Sequence, residues 1–268
     1  MKVRRVARAA DDGYGNPLVP GLHSSEDARR LAEEIGFSAG RLACLESDPP
    51  GLYAEVALES DREEGLWLAA VIAVLGPLGD DPFAGVRAAR VPWAGGEIPP
   101  LEGVPLGPRG GATDATTGER ALAAYRSWAG RGGGQEAALV GDAGWSPARR
   151  FGRAYERLGA LPGFTRPARY DLLVVLGRLG VIELEPDAVY LGESDDASLA
   201  ARRVFGIADR FLLERRATDL ADASEVPLEA LDLALANFGS EAGRSTQGAG
   251  AGVADGDAHE RAASALDV

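Results

Sequence analysis

Apolar and polar positions alternate along this chain with a helical period over most of its length. Residues 25–35, "SEDARRLAEEI", open on a serine and early acids, and Ala28, Leu31, Ala32 and Ile35 recur at helical spacing, which predicts a capped amphipathic helix. Residues 61–75, "DREEGLWLAAVIAVL", begin acidic and then turn apolar all round, as a buried central helix does. Further helical stretches are predicted at 82–90, 119–129, 135–140, 146–158, 166–179, 195–205, 210–223 and 228–238. Between them, 94–118 is too rich in glycine and proline for regular structure and predicts a long loop or lid. Residues 181–191 alternate weakly, consistent with a small hairpin or an irregular excursion. About ten helices and no convincing strand predict an all-α fold. The expected organisation is an N-terminal segment at 1–24, a helical domain at 25–238 and a disordered Gly/Ala-rich tail at 239–268.

Composition narrows the chemistry. Cys44 is the single cysteine, so neither an internal disulfide nor a cysteine-ligated cluster can form. With two histidines, His23 and His259, a histidine-built metal site and Ser-His-Asp hydrolysis are poorly supported, although carboxylates alone could still hold magnesium. The expectation is no metal and no cofactor. The N-terminus "MKVRRVARAADDGYG" lacks the apolar centre of a signal peptide, and the apolar run from Leu66 is too short and interrupted to span a bilayer. A soluble cytoplasmic protein with no membrane partner is therefore expected.

The formal charge is −13, and Lys2 is the only lysine. Against that background, 145–178 carries seven arginines (149, 150, 153, 157, 166, 169 and 178) and two acids, Glu156 and Asp171. Arg149, Arg153 and Arg157 share one helix face, while Phe151, Tyr155 and Leu158 lie on another. A Leu161-Pro162-Gly163 turn follows, Thr165 can cap the next helix, and Pro167 is tolerable in its first turn. Such a turn can aim backbone amides and a positive helix end at a phosphate. An ordinary helical hairpin with a solvated arginine face accounts for the same residues equally well.

The stretch "ALPGFTRPARYDLLVVL" resembles the hairpin of the helix-hairpin-helix (HhH-GPD) DNA glycosylase superfamily. "GLWLAAVIAVLGPLGDDPFAGVRAA", "SDDASLAARRVFGI" and "PLEALDLALANFGSEAG" follow that family's order over roughly residues 60–240. The resemblance implies double-stranded DNA as partner. It also implies backbone contacts from Leu161, Gly163, Thr165, Arg166, Arg169, Arg149, Arg153 and Arg157, and hydrolysis of the N-glycosidic bond of a flipped base. It makes Asp195 the stabilising carboxylate, with Asp196 and Asp187 as alternatives; an acidic helix start explains Asp195 as well. Phe164-Thr165 stands where the family has an aliphatic residue and glycine. No lysine follows residue 2, so the implied enzyme is a monofunctional glycosylase without lyase chemistry. Walls for a flipped base would come from among Trp67, Trp93, Tyr125, Trp128 and Trp145, residue types that serve equally as core. Some relatives of that fold are proposed to modify thymine in DNA rather than excise it. A non-catalytic helix-hairpin-helix DNA-binding protein and an acidic helical protein–protein module are the alternatives.

Overall fold

A computed structural model describes residues 9–77, 81–240, 244 and 254–268. Twelve helices and no strand occur among them, so the all-α expectation holds. The described residues divide into two compact units. One comprises 9–42, 188–240, 244 and 254–268; the other comprises 43–77 and 81–187. Helix α1 (Ser25–Ser47) begins in the first unit, and its last residues belong to the second. No helix among the described residues is long and apolar enough to cross a membrane.

The second unit is built around α3 (Arg62–Leu75), in which every residue from Gly65 to Leu75 is buried. Asp61 caps its start, accepting from the amides of Glu63 at 3.0 Å and Glu64 at 3.4 Å. Around it pack α2 (Leu52–Leu58), α4 (Ala84–Ala88), α5 (Ala115–Arg131), α6 (Gln135–Val140) and α8 (Arg166–Arg178), and α7 (Pro147–Gly159) packs on α6 and α8. Helix α2 has no counterpart among the predicted elements; its Leu52, Tyr53 and Val56 are buried.

The expected 94–118 loop ends where α5 begins at Ala115. Its last part, 107–112, is fastened to the C-terminal end of α3. The carbonyls of Leu75, Ala73 and Val74 accept from the amides of Gly107 at 2.7 Å, Gly111 at 3.2 Å and Ala112 at 3.0 Å. These are carbonyls a helix end otherwise leaves unsatisfied. Glycine is required for this approach: a Cβ on Gly107 would lie 2.5 Å from the Pro77 carbonyl oxygen, and one on Gly110 would lie 2.7 Å from that of Leu75.

In the first unit, α9 (Asp196–Phe205) packs along α11 (Leu228–Gly239), and α10 (Arg210–Ala223) packs on both. Residues 188–191, the end of the excursion expected at 181–191, are irregular. Both oxygens of Glu214 receive their amides: Val189 at 3.0 Å and Tyr190 at 3.1 Å on one, Leu191 on the other. Tyr190 holds φ at 61°, a left-handed conformation that this carboxylate stabilises. Burial raises the Glu214 pKa above the ordinary carboxylate value, and the three amides oppose the shift.

The tail departs from expectation. Within 239–268, Gly256–Ala265 forms α12, capped by Asp255, with Ala258, Ala262 and Leu266 buried. The Gly36 carbonyl accepts from the Asp255 amide at 2.9 Å, and Tyr14 donates its hydroxyl to the Leu266 carbonyl at 2.6 Å. The small side chains of this segment suit a close approach to α1, where a Cβ on Gly36 would lie 2.6 Å from that of His259. Residues 241–243 and 245–253 of the expected tail, and 1–8 of the expected N-terminal segment, lie outside the described residues.

Candidate functional site

The arginine-bearing hairpin is formed as its residues dictate. Ser146 caps α7 with Pro147 in the first turn, and Thr165 caps α8 with Pro167 in the first turn. On α7, Phe151, Ala154, Tyr155 and Leu158 turn inward. Arg149 and Arg153 are exposed, and Arg157 is half-buried. Arg153 pairs with Glu156 at 3.0 Å, a solvent-screened contact that leaves its donors largely available. The guanidinium carbons of Arg149 and Arg157 lie 5.5 Å and 5.8 Å from the Trp145 ring centre. Burial, aided by the charge of Arg153, lowers the Arg157 pKa from its usual value.

The other half of the expected patch is not on the surface. Arg166 is fully buried, with its guanidinium 5.7 Å from the Tyr170 ring centre. Arg169 is half-buried, stacks over Tyr155 at 4.3 Å and donates to that residue's hydroxyl at 3.0 Å. Arg150 is buried too, donating to the Glu183 carbonyl at 2.9 Å. The five-arginine surface is thus corrected to Arg149 and Arg153 exposed on α7, with half-buried Arg157 beside them donating to the carbonyls of Arg153 at 3.0 Å and Leu139 at 3.3 Å.

Three amides at and just after the turn are also engaged. Phe164 donates to the Leu161 carbonyl at 3.3 Å, Thr165 to that of Gly163 at 3.1 Å, and Ala168 to the Thr165 hydroxyl at 3.4 Å. Leu161 is half-buried. Gly163, at φ 82°, faces α5: a Cβ there would lie 2.8 Å from that of Ala121. Close packing, rather than phosphate approach, accounts for this glycine.

Two features of this unit are assembled from parts of the chain far apart in sequence. One is a buried ion pair: Arg109, in the glycine-rich loop, meets Asp171 on α8 with Nε 2.9 Å from Oδ2 and a second contact from Nη2 to Oδ1. The other is an aromatic cluster beside a cleft. Tyr125 stacks on Phe164 with ring centres 5.6 Å apart and on Trp67 at 6.2 Å, while Trp93 lies 5.6 Å from Trp67. Trp67 and Tyr125 are core, and Arg126 sits 4.4 Å from the ring centres of both Trp67 and Trp93. Burial lowers the Arg126 pKa, with Glu64 opposing. Trp67 also borders a cleft of about 270 Å³ that includes Glu59, Glu64, Val71, Val86 and Arg90.

Asp195 belongs to the first unit. It is half-buried and caps α9, accepting from the Ser198 amide at 3.2 Å and from the Ser198 hydroxyl at 2.7 Å. Asp196, in the first turn of α9, and Asp187, in the second unit, are exposed. Among the described residues no group of three or more His, Cys, Asp or Glu is arranged to hold a metal ion.

Residues 111–241, just under half of the chain, match the family model described as Alpha-glutamyl/putrescinyl thymine pyrophosphorylase clade 3. No curated protein and no solved structure matches the chain. The family match overturns the assignment to the HhH-GPD DNA glycosylases, and with it the base-excision and DNA-repair reading. It lends nothing to the non-catalytic helix-hairpin-helix protein or to the acidic protein–protein module. The matched segment contains the same hairpin and the same Asp195 helix. Leu-Pro-Gly between two helices reports a turn and its packing, and does not distinguish the chemistry performed nearby.

Proposed function

We propose that this chain is a cytoplasmic enzyme that modifies a thymine-type base carried in double-stranded DNA, leaving the glycosidic bond intact. In the reaction, an amine displaces pyrophosphate from the carbon attached to ring position 5. The C–O bond to pyrophosphate breaks and pyrophosphate leaves with the electron pair. The neutral amine nitrogen forms a C–N bond to the same carbon and then releases one proton. The observation that carries the reading is the similarity of 111–241 to a family described as alpha-glutamyl/putrescinyl thymine pyrophosphorylases.

The geometry is compatible with such a substrate. Arg149, Arg153 and Arg157 recur every fourth residue, roughly 6 Å apart along α7. A ridge of this kind contacts backbone phosphates and positions a duplex without reading its sequence. The net charge of −13 restrains indiscriminate binding elsewhere on the surface.

The test is incubation of the protein with duplex DNA containing 5-(pyrophosphoryloxymethyl)uracil and a panel of amines, followed by nucleoside mass spectrometry. The expected product is an amine-substituted thymidine with release of pyrophosphate. Free base in place of a modified nucleoside, or no turnover with any amine, overturns the proposal.

A further inference from the structure

Helix α10 leaves its first turn largely in solvent. Leu213, Ala217, Leu220 and Ala221 turn inward, while Phe211 is 84% exposed and Leu212 is 50% exposed. Leu199, on the neighbouring helix α9, is also 50% exposed. A phenylalanine so exposed forgoes the burial that folding ordinarily gives it, and Leu212 extends the apolar surface. The base of this patch is held in place. Asp209 caps α10, accepting from the Leu212 amide at 3.0 Å. The stem of Arg210 lies along the 188–192 segment, where a Cβ on Gly192 would lie 3.2 Å from the Arg210 Cδ. The whole patch falls within the matched residues 111–241.

Charge selects what covers it. Residues 202–216, "RRVFGIADRFLLERR", carry five arginines and two acids in a chain of net charge −13. Both acids are occupied by backbone amides, Asp209 at the cap and Glu214 at 189–191. Arg210 and Arg215 are exposed, and neither is in an ion pair among the described residues. Arg215 follows Phe211 by four residues and shares its helix face, roughly 6 Å along the axis. A second copy docking symmetrically here would bring arginine against arginine, and like charges repel. An apolar side chain flanked by cations suits a duplex instead: it enters between base pairs while the cations meet phosphates. An extrahelical base leaves a gap of this kind in the stack.

We infer that Phe211 is a wedge that enters the base stack of duplex DNA beside the extrahelical thymine-type base, with Arg210 and Arg215 on the flanking phosphates. The inference rests on the proposed modification of a base in double-stranded DNA for its purpose; its physical basis is the patch. Phe211 touches no reacting atom and is a positioning residue that holds the duplex open.

The experiment uses the full chain and a duplex carrying 5-(pyrophosphoryloxymethyl)uracil, with 2-aminopurine as the adjacent base to report unstacking by its fluorescence. The wild type is expected to raise that fluorescence on binding. F211A should lose most of the rise and bind the duplex roughly 5- to 150-fold more weakly, the range for taking an aromatic ring from a stacked base. F211L keeps an apolar wedge and should retain most of the rise. R210A/R215A should lower the slope of log affinity against log salt by roughly 2. All four side-chain changes are at exposed positions, so thermal unfolding followed by circular dichroism should match the wild type. An undiminished rise with F211A, an affinity within about twofold of the wild type, or an unchanged salt slope overturns the inference. Self-association that is lost in F211A while DNA binding stays intact assigns the patch to a protein interface and overturns it as well. Amine transfer by an F211A protein that unstacks DNA like the wild type overturns the wedge alone. Unstacking that depends on Phe211 without any amine transfer overturns the proposed reaction alone, and a wild type that binds no duplex overturns both.

Discussion

Replacing Arg109 by methionine tests whether the glycine-rich loop is locked to the hairpin by charge. Arg109 and Asp171 are 7% and 8% exposed, so water screens the pair little. The two parallel contacts make it bidentate, the strong geometry for a guanidinium and a carboxylate. Removing the arginine takes a bidentate counter-charge from the buried Asp171 carboxylate, which costs about 3–5 kcal/mol. Removing both charges, as R109M/D171L, takes away the uncompensated carboxylate and should return part of that loss. All four tryptophans, Trp67, Trp93, Trp128 and Trp145, lie in 43–187, so tryptophan fluorescence in urea reports this unit. With a urea slope of about 2 kcal/mol per molar, R109M should lower the midpoint by roughly 1.5–2.5 M. A loss under about 1 kcal/mol for R109M, or a double variant as unstable as the single one, would refute the reasoning.

Two further outcomes are expected. Changing Arg149, Arg153 and Arg157 together to alanine should weaken DNA binding and reduce the slope of log affinity against log salt by roughly 2–3, measured by fluorescence anisotropy across a salt series. An unchanged slope removes α7 from the interface. Glu214 has its pKa raised by burial, so its favourable contribution is fully present below the ordinary carboxylate value and is lost as pH rises through the higher folded value. Glutamine cannot accept on both sides of the 189–191 amides, so Glu214→Gln should destabilise by about 1–3 kcal/mol. Because the variant does not titrate there, the penalty should shrink from acid toward neutral pH in urea titrations at several pH values. A pH-independent difference contradicts the raised pKa.

Local chemistry determined much of this molecule. Asp61, Ser146, Thr165 and Asp195 start helices because each short polar side chain accepts from an amide two or three residues ahead, an interaction contained in a few consecutive residues. The unbroken apolar run of α3 could be satisfied only inside a core, and it is. Helix α2 was invisible because seven residues after Pro-Gly have too little pattern; burial of Leu52, Tyr53 and Val56 secures it. Helix α12 was missed for a related reason, since its alanines gain stability only once another surface covers them.

The arginines show the limit most clearly. Arg149 and Arg166 look alike in sequence, each near a proline at a helix start, yet one is exposed and the other buried. Which of them meets solvent depends on what lies across from each helix, and that surface comes from residues far along the chain. Arg109 and Asp171 are 62 residues apart, and Glu64 meets the 93–94 amides across about half that distance. Helix starts follow from neighbours in sequence. Buried charge and cleft lining follow from neighbours in space, because a charge leaves water only where the fold has already assembled its partner.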